Sequence, residues 1–362
     1  MAVPLFDTET PRRALRAELR SAVHRVLDGG RFVLGPEVEA FEREWAAYLG
    51  ARHAVGVANG TEAITIALRA LGVGPGDEVV VPSFTFWASA EAIPPTGATP
   101  VFCDIDPDTF VVTPDTVRAA LTPRTKAIIV VHLFGNVADV KGIASLGVPV
   151  LEDAAQAAGS VGPDGRPGAL GTIATFSFYP SKNLGAFGDG GAITCNDAAL
   201  DARVRTLRFH GSRDKVDYET IGYNSRLDEL QAAILRVQLP HLDRWAAARA
   251  EAGDRYATAL DGLVDLPRAT PGARPAWHLY VIRHRQADAL HAALVARDIG
   301  ASPYYRTPVH EQAPMRAYAP SGPLPGTAEA ARTHLAIPMS AALGAEQVAE
   351  VAAAVGAAVA HA

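Results

Sequence analysis

The chain has 362 residues, 49% of them hydrophobic, a formal net charge of −6 and a pI near 6.0. That length carries a large core and suggests two domains, while Lys and Arg scattered without a basic stripe argue against a nucleic-acid binder. Cys103 and Cys195 lie in apolar runs and read as small buried hydrophobes, not as a disulfide or a metal site; with no leader-like N-terminus and no run of about 18 apolar residues, the expectation is a cytoplasmic protein without membrane contact.

In chain order, Leu15, Leu19, Val23 and Val26 recur at helical spacing from Arg12 to Leu27 and stop at Gly29-Gly30. A second helix is expected from Glu37 to Leu49, closed by Gly50. The strand-like run from His53 to Ala58 then meets Asn59-Gly60-Thr61-Glu62 and a helical stretch. Alone, Asn-Gly favours a hairpin. Before a helix it is a strand-to-helix turn, with Thr61 at the expected N-cap and backbone amides free for a phosphate. Plain capping and phosphate binding both fit these residues.

Glu78–Pro82 reads as a short buried strand leading into Ser83-Phe-Thr-Phe-Trp-Ala-Ser, where Phe84, Phe86 and Trp87 cluster. One aromatic facing a ligand crevice would stack on a planar cofactor; Phe86 is the first choice and Trp87 the second. Further strands are expected at 100–104, 125–132 and 148–153, with helices between them. Such βα units give a mostly parallel sheet covered on both faces. Asp153 ends the last of these strands and Gln156 follows one helical turn later. A carboxylate there either caps the next helix or holds a proton on a pyridine nitrogen.

The residues from Gly159 to Gly171 read as a tight turn. The β-branched and aromatic strand from Thr172 to Phe178 carries Ser177, and Lys182 follows before a glycine-rich run from Gly185 to Gly191. Most lysines are solvated, but a desolvated one is a nucleophile toward carbonyls, including the aldehyde of pyridoxal phosphate. A second strand is expected at 192–196 and a helix at 201–208, then a flap-like loop at 212–220. The segment opening at Ile221-Gly-Tyr-Asn-Ser reads as a long helix with Ser225 as N-cap, divided by Pro240. From about Trp245 a smaller α/β unit is expected, built from a strand at 277–283, a helix at 287–298 and an Ala-rich terminal helix.

Asn-Gly-Thr, Pro-Ser-Phe-Thr-Phe, Glu-Asp-Ala-Ala-Gln, Ser-Phe-Tyr-Pro-Ser-Lys-Asn-Leu-Gly, Gly-Asp-Gly-Gly and Gly-Tyr-Asn-Ser-Arg-Leu-Asp-Glu-Leu-Gln occur in that order. Together they make the chain similar, over nearly its whole length, to the sugar aminotransferases of the DegT/DnrJ/EryC1/StrS family. The resemblance implies an aspartate-aminotransferase-like α/β protein of pyridoxal-phosphate fold type I. Its large domain, with a mostly parallel seven-stranded sheet, would span residues 1–243 and a smaller C-terminal α/β domain residues 244–362.

Position by position, the resemblance makes Lys182 the lysine that binds pyridoxal 5′-phosphate covalently and Asp153 the partner of the pyridine nitrogen. Gln156 would contact the ring hydroxyl, Gly60, Thr61 and Ser177 the phosphate, and Phe86 the ring face. Asn224 would reach the neighbouring subunit's cofactor in a homodimer. Tyr304, Tyr305 and His310 resemble the family's sugar-nucleotide loop, with Arg306 where a small residue or proline is expected. The implied reaction moves an amino group from glutamate to a nucleotide-diphosphate-linked ketosugar, a dTDP-linked 3-keto- or 4-keto-6-deoxyhexose. Two other classes compete. A pyridoxamine-phosphate dehydratase of the family carries histidine in place of Lys182, and a non-enzymatic regulator would need an added DNA-binding module and a basic face.

Overall fold

The computed structural model describes residues 3–360. Seven strands form one sheet in the order β1-β7-β6-β5-β4-β2-β3: β1 His53–Val57, β2 Glu78–Pro82, β3 Thr99–Cys103, β4 Thr125–Val131, β5 Val150–Asp153, β6 Ile173–Ser177 and β7 Gly191–Cys195. β2, β3, β4, β5 and β6 are parallel, and β7 alone runs against its neighbours β1 and β6. The chain direction therefore brings the C-terminal ends of β1, β2, β4, β5 and β6 to one edge, where open α/β sheets bind ligands. A smaller antiparallel pair, β8 Tyr280–Arg283 and β9 His334–Ile337, is separate.

Both faces of the large sheet are covered, as the continuous apolar strands require. On one face the Gly60–Ala70 helix lies over β5, β6 and β7 and buries Ile64, Ile66, Ala67 and Leu68 in a core shared with Leu151, Ile173 and Ile193. On the other, Phe41 and Trp45 of the Pro36–Leu49 helix pack on Phe176 and Phe178, with Trp45 meeting Phe176 edge-on at 4.9 Å. Gly50 ends that helix at φ +78°, a left-handed cap that a side chain disfavours. A further core joins Val3 to Tyr256, Leu290, Val351 and Val355 around β8 and β9.

Several boundaries differ from the sequence reading, each for a local reason. The first helix is two, Thr10–Arg13 and Arg16–Gly29. The N-cap at the β1 turn is Asn59, not Thr61: its side chain accepts from the Glu62 amide. Residues 154–158 form turns instead of a helix. Ser225 caps nothing; it is buried and accepts from the Ala58 amide at 3.1 Å, while the helix begins only at Glu229 and breaks at Leu239–His241, where Pro240 sits. Two elements escaped the reading altogether, the Pro325–Thr333 helix and β9, whose four residues carry too little pattern. No described helix is long and apolar enough to cross a membrane.

Glu229 explains why that later start is useful. Its buried carboxylate accepts from the amides of Gly35, Glu37 and Val38 at 2.7–3.0 Å, capping the Pro36–Leu49 helix from another element. The first amides of a helix have no partner within it, and bonds to an ionised group are the stronger kind. Glu229→Ala is expected to cost about 2–3 kcal/mol and to lower the thermal unfolding midpoint. An unchanged midpoint in a calorimetric scan would show that water replaces the carboxylate at no cost.

Candidate active site

The shared strand edge opens into a cavity of about 310 Å³. Nine of the sequence-assigned residues line it: Gly60, Thr61, Phe86, Asp153, Gln156, Ser177, Lys182, Tyr304 and Tyr305. Five strands contribute to it or to its rim, because their ends release the chain on one side, while Tyr304 and Tyr305 arrive on a later segment outside the large sheet.

Lys182 is carried by a loop fastened from several directions. Its amide donates to Tyr179 O at 2.8 Å, Arg12 Nη2 donates to Pro180 O at 2.8 Å, and Gln238 Nε2 donates to Gly185 O at 2.9 Å. Among the described residues its Nζ makes no hydrogen bond and no ion pair. Burial disfavours the ammonium and pushes the pKa down to about 8, against the opposing pull of Asp153. The result is an amine available near neutral pH.

Asp153 closes β5, only 5% exposed. Ser89 Oγ donates to its Oδ2 at 2.7 Å and the Ala155 amide to its Oδ1 at 3.2 Å; Ser89 is in turn 3.0 Å from Thr85 Oγ1. These bonds fix the carboxylate's orientation. Its neighbour Glu152, on the opposite face of the strand, instead meets His132 Nε2 at 2.9 Å and accepts from the amides of Gly168, Leu170 and Gly171. One residue of β5 is thus spent on the site and the next on anchoring the 159–171 turn.

At one side of the cavity the Gly60–Ala70 helix presents its N-terminus. Among the described residues the amides of Gly60 and Thr61 have no protein acceptor, and Ser177 lies so close that a Cβ on Gly60 would meet its Cβ at 2.8 Å. Amides, a helix dipole and two hydroxyls around a gap that admits no side chain suit a phosphate. Phe86 is 52% exposed and tilts against Tyr305 at 5.9 Å, whereas Trp87 turns away to donate to Glu91 at 2.6 Å. Gln156 is held by the Phe134 amide, which donates to its Oε1 at 2.6 Å, and its Nε2 donates to Tyr305 OH at 3.3 Å. Burial raises the Tyr305 phenol and keeps it neutral. Phosphate cradle, amine, buried carboxylate and flat aromatic together fit the shape and charge of pyridoxal phosphate.

Two assigned residues lie elsewhere. Asn224 is exposed and pairs through its backbone with Phe209, outside the cavity. His310 also stays outside, its Nδ1 against Ser83 Oγ. Arg306, where the sequence pattern was broken, pairs with Asp288 and donates to Ala331 O at 2.9 Å. The sequence reading missed Ser89 and His278. His278 lines the cavity stacked on Phe6, 4% exposed, and burial, Lys182 and Arg249 all hold it well below the ordinary histidine range. A serine behind a carboxylate and a histidine inside an apolar run leave no periodic signal.

Comparison with known proteins gives the family. The DegT/DnrJ/EryC1/StrS aminotransferase family model matches residues 13–356. The chain is 46% identical, over 93% of its length and 91% of the relative's, to the dTDP-3-amino-3,4,6-trideoxy-alpha-D-glucose transaminase of Streptomyces venezuelae. It is 45% identical to the "pleiotropic regulatory protein" of Geobacillus stearothermophilus, over 96% of both chains. Among solved structures, S. venezuelae DesV in complex with a ketimine intermediate superposes with a TM-score of 0.96 at 45% identity, covering 99% of this chain and 98% of that one. The fold is that of the fold type I aminotransferases, and the chain belongs to the DegT/DnrJ/EryC1/StrS aminotransferase family.

Proposed function

We propose that this aminotransferase uses pyridoxal 5′-phosphate to move an amino group from glutamate to a nucleotide-diphosphate-linked ketodeoxysugar, in a homodimer. The observation that carries the reading is the meeting of Lys182, its amine desolvated, with the Ser89-anchored Asp153 beside a phosphate-shaped helix N-terminus. A dTDP-linked 3-keto-6-deoxyhexose is the favoured acceptor over a 4-keto one, because the S. venezuelae relative is named for a 3-amino sugar on dTDP. The dehydratase alternative is disfavoured by Lys182 itself. The regulator alternative gains nothing from the second relative's name, since a sensor needs neither a free amine nor an anchored carboxylate.

In this reading residues 1–243 form the cofactor-binding domain, and residues 244–362 the smaller domain that brings His278, Tyr304 and Tyr305 to the cavity. Pyridoxal phosphate supplies an electron sink for the α-carbon of the amino donor. Lys182 holds the cofactor at rest; displaced by the donor, its free Nζ takes the α-proton and later returns it, as general base and then acid. Asp153 keeps a proton on the ring nitrogen, and Ser89 keeps Asp153 aimed. Gly60, Thr61 and Ser177 hold the phosphate, Gln156 the ring hydroxyl and Phe86 the ring face. Tyr304, Tyr305 and His310 form the sugar-nucleotide side, and Asn224 reaches the neighbouring subunit's phosphate.

Purified protein given pyridoxal phosphate should develop a visible absorbance band that glutamate removes and a dTDP-ketosugar restores, with ping-pong kinetics. The rate of covalent attachment should rise with pH and level off above about 8, where the Lys182 amine is uncharged. Lys182→Ala should form no band and retain its circular dichroism; an active Lys182→Ala protein would end this reading. Mixing tests the dimer. Lys182→Ala and Asn224→Ala chains, each inactive alone, should regain activity in hybrid dimers, where one site keeps its own lysine and the partner's asparagine. Hybrids as inactive as the parents would place Asn224 outside the neighbouring site.

A further inference from the structure

Among the described residues the buried histidines are His132, His278 and His334. Two of them hold the chain together. His132 Nε2 meets Glu152 Oε2 at 2.9 Å and its Nδ1 accepts from the Ala138 amide at 3.1 Å, while His334 Nδ1 donates to Ala330 O at 2.6 Å. His278 spends neither nitrogen. It is 4% exposed, its Nδ1 is buried without a partner, and among the described residues its ring makes no hydrogen bond and no ion pair. Packing fixes the ring instead, through the stack on Phe6 at 5.8 Å. Buried polar atoms are nearly always bonded, and this unbonded imidazole lines the cavity that Lys182 also lines.

The segment that carries His278 runs beside the Lys182 loop. Asn183 Nδ2 donates to Ala276 O at 3.3 Å, which ties the residue after the lysine to the residue two before the histidine. On its other side the segment meets the turn at Phe134 and Gly135. There the Leu279 amide donates to Phe134 O at 3.4 Å, and a Cβ on Gly135 would lie 3.0 Å from the His278 amide nitrogen. Burial first, then the charges of Lys182 and Arg249, keep the imidazole neutral. A neutral imidazole offers one N–H and one lone pair. The other acceptors at the cavity are taken or wet: Asp153 by Ser89 and the Ala155 amide, Gln156 Oε1 by the Phe134 amide, and Asp189 by its exposure to water. In the structure Lys182 Nζ is unbonded too, so the dry cavity holds one free donor and one free acceptor on segments that are tied together.

We infer that His278 is a positioning residue for Lys182: once the amino donor has displaced the lysine, a ring nitrogen of His278 accepts a hydrogen bond from Nζ and holds it within reach of the proton it must take. This rests on the transaminase reading above. Taking that proton makes an ammonium in a dry cavity, the form that burial penalises, and a hydrogen bond from a charged donor is of the stronger kind. The neutrality of the acceptor matters. A second free carboxylate would keep the resting lysine charged, whereas an imidazole helps without adding a charge. The proton stays on Nζ, and nothing but the hydrogen bond to His278 forms or breaks.

The test compares full-length protein, its histidine nitrogens isotope-labelled, in two loaded forms: with pyridoxal phosphate, which ties up Lys182, and with pyridoxamine phosphate, which leaves it free. The His278 ring signals are assigned by their loss in His278→Phe, or in His278→Gln should the first variant fail to fold. One ring nitrogen should shift toward its hydrogen-bonded position in the pyridoxamine phosphate form, and the shift should vanish in Lys182→Ala. His278→Phe removes both nitrogens and retains a ring against Phe6. It should still form the visible band, yet exchange the α-proton of glutamate with solvent deuterium about tenfold more slowly, with KM for glutamate little changed. His278→Gln returns an acceptor near Nε2 and His278→Asn one near Nδ1, and one of the two should regain much of the lost rate. Ring signals identical in the two loaded forms overturn the inference, which is also the result if water is the ring's only partner. Exchange at the wild-type rate in a folded His278→Phe overturns it as well, as does slow exchange that neither Gln nor Asn relieves. A protein that forms no visible band at all overturns the transaminase reading and this inference with it; a band with unmoved His278 signals overturns this inference alone.

Discussion

Everything at the site turns on keeping one amine dry. An ammonium in water is cheap and unreactive; in the cavity it is neither, because burial removes its solvation and leaves only Asp153 to oppose the loss of the proton. The balance decides the chemistry. With a stronger anion at that position the lysine would stay charged, and with none it would carry no link to the carboxylate that shares its task. Asp153 must therefore be close enough to matter and occupied enough not to form a tight pair. The bond from Ser89 and the bond from the Ala155 amide supply that occupation.

Holding a desolvated lysine requires a loop that does not relax toward water, and much of the surrounding structure serves this. Arg12 reaches from the N-terminal segment to the carbonyls on either side of the lysine, Gln238 from a later helix, and Asn183 from the loop back to Ala158 and Ala276. The Arg12 ties join segments 168 and 173 residues apart in sequence, and the others segments 25 to 93 apart. The parallel strand order makes them short, since each strand end is released at the same edge. The reversal at β7 then fits a constraint of space: a Cβ on Gly191 would lie 2.6 Å from Asn59 O, so only glycine lets the returning strand pass the phosphate-side turn.

What the sequence disclosed follows from how each feature is encoded. Buried strands are continuous apolar runs, so β1 to β7 were readable, as were Asp153 and Lys182, which stand at or just beyond the ends of such runs. The Glu229 helix start was not, because no side chain caps it and Ser225, a few residues earlier, mimics a cap while actually bonding Ala58. β9 was invisible because four residues cannot establish a period. Ser89 and His278 were missed for a different reason: their roles exist only once the strands are assembled. Phe86 over Trp87 was a choice that only side-chain direction could make, and the bond from Trp87 to Glu91 makes it.

Arg249 belongs to that last class and shows its limit from the other side. In the sequence it is one of several arginines in an Ala-rich helix, Leu242–Ala259, and nothing in the spacing separates it from Arg244 or Arg255. Arg255 pairs with Glu251 one turn away on the exposed face, as helix spacing favours. Arg249 faces inward, where burial pushes its pKa down to about 10 and no acid among the described residues restores it. Arg249 thus bears the cost of burial in the same low-dielectric surroundings on which the chemistry of Lys182 depends, and its bond to Trp277 O ties the helix to the segment that carries His278.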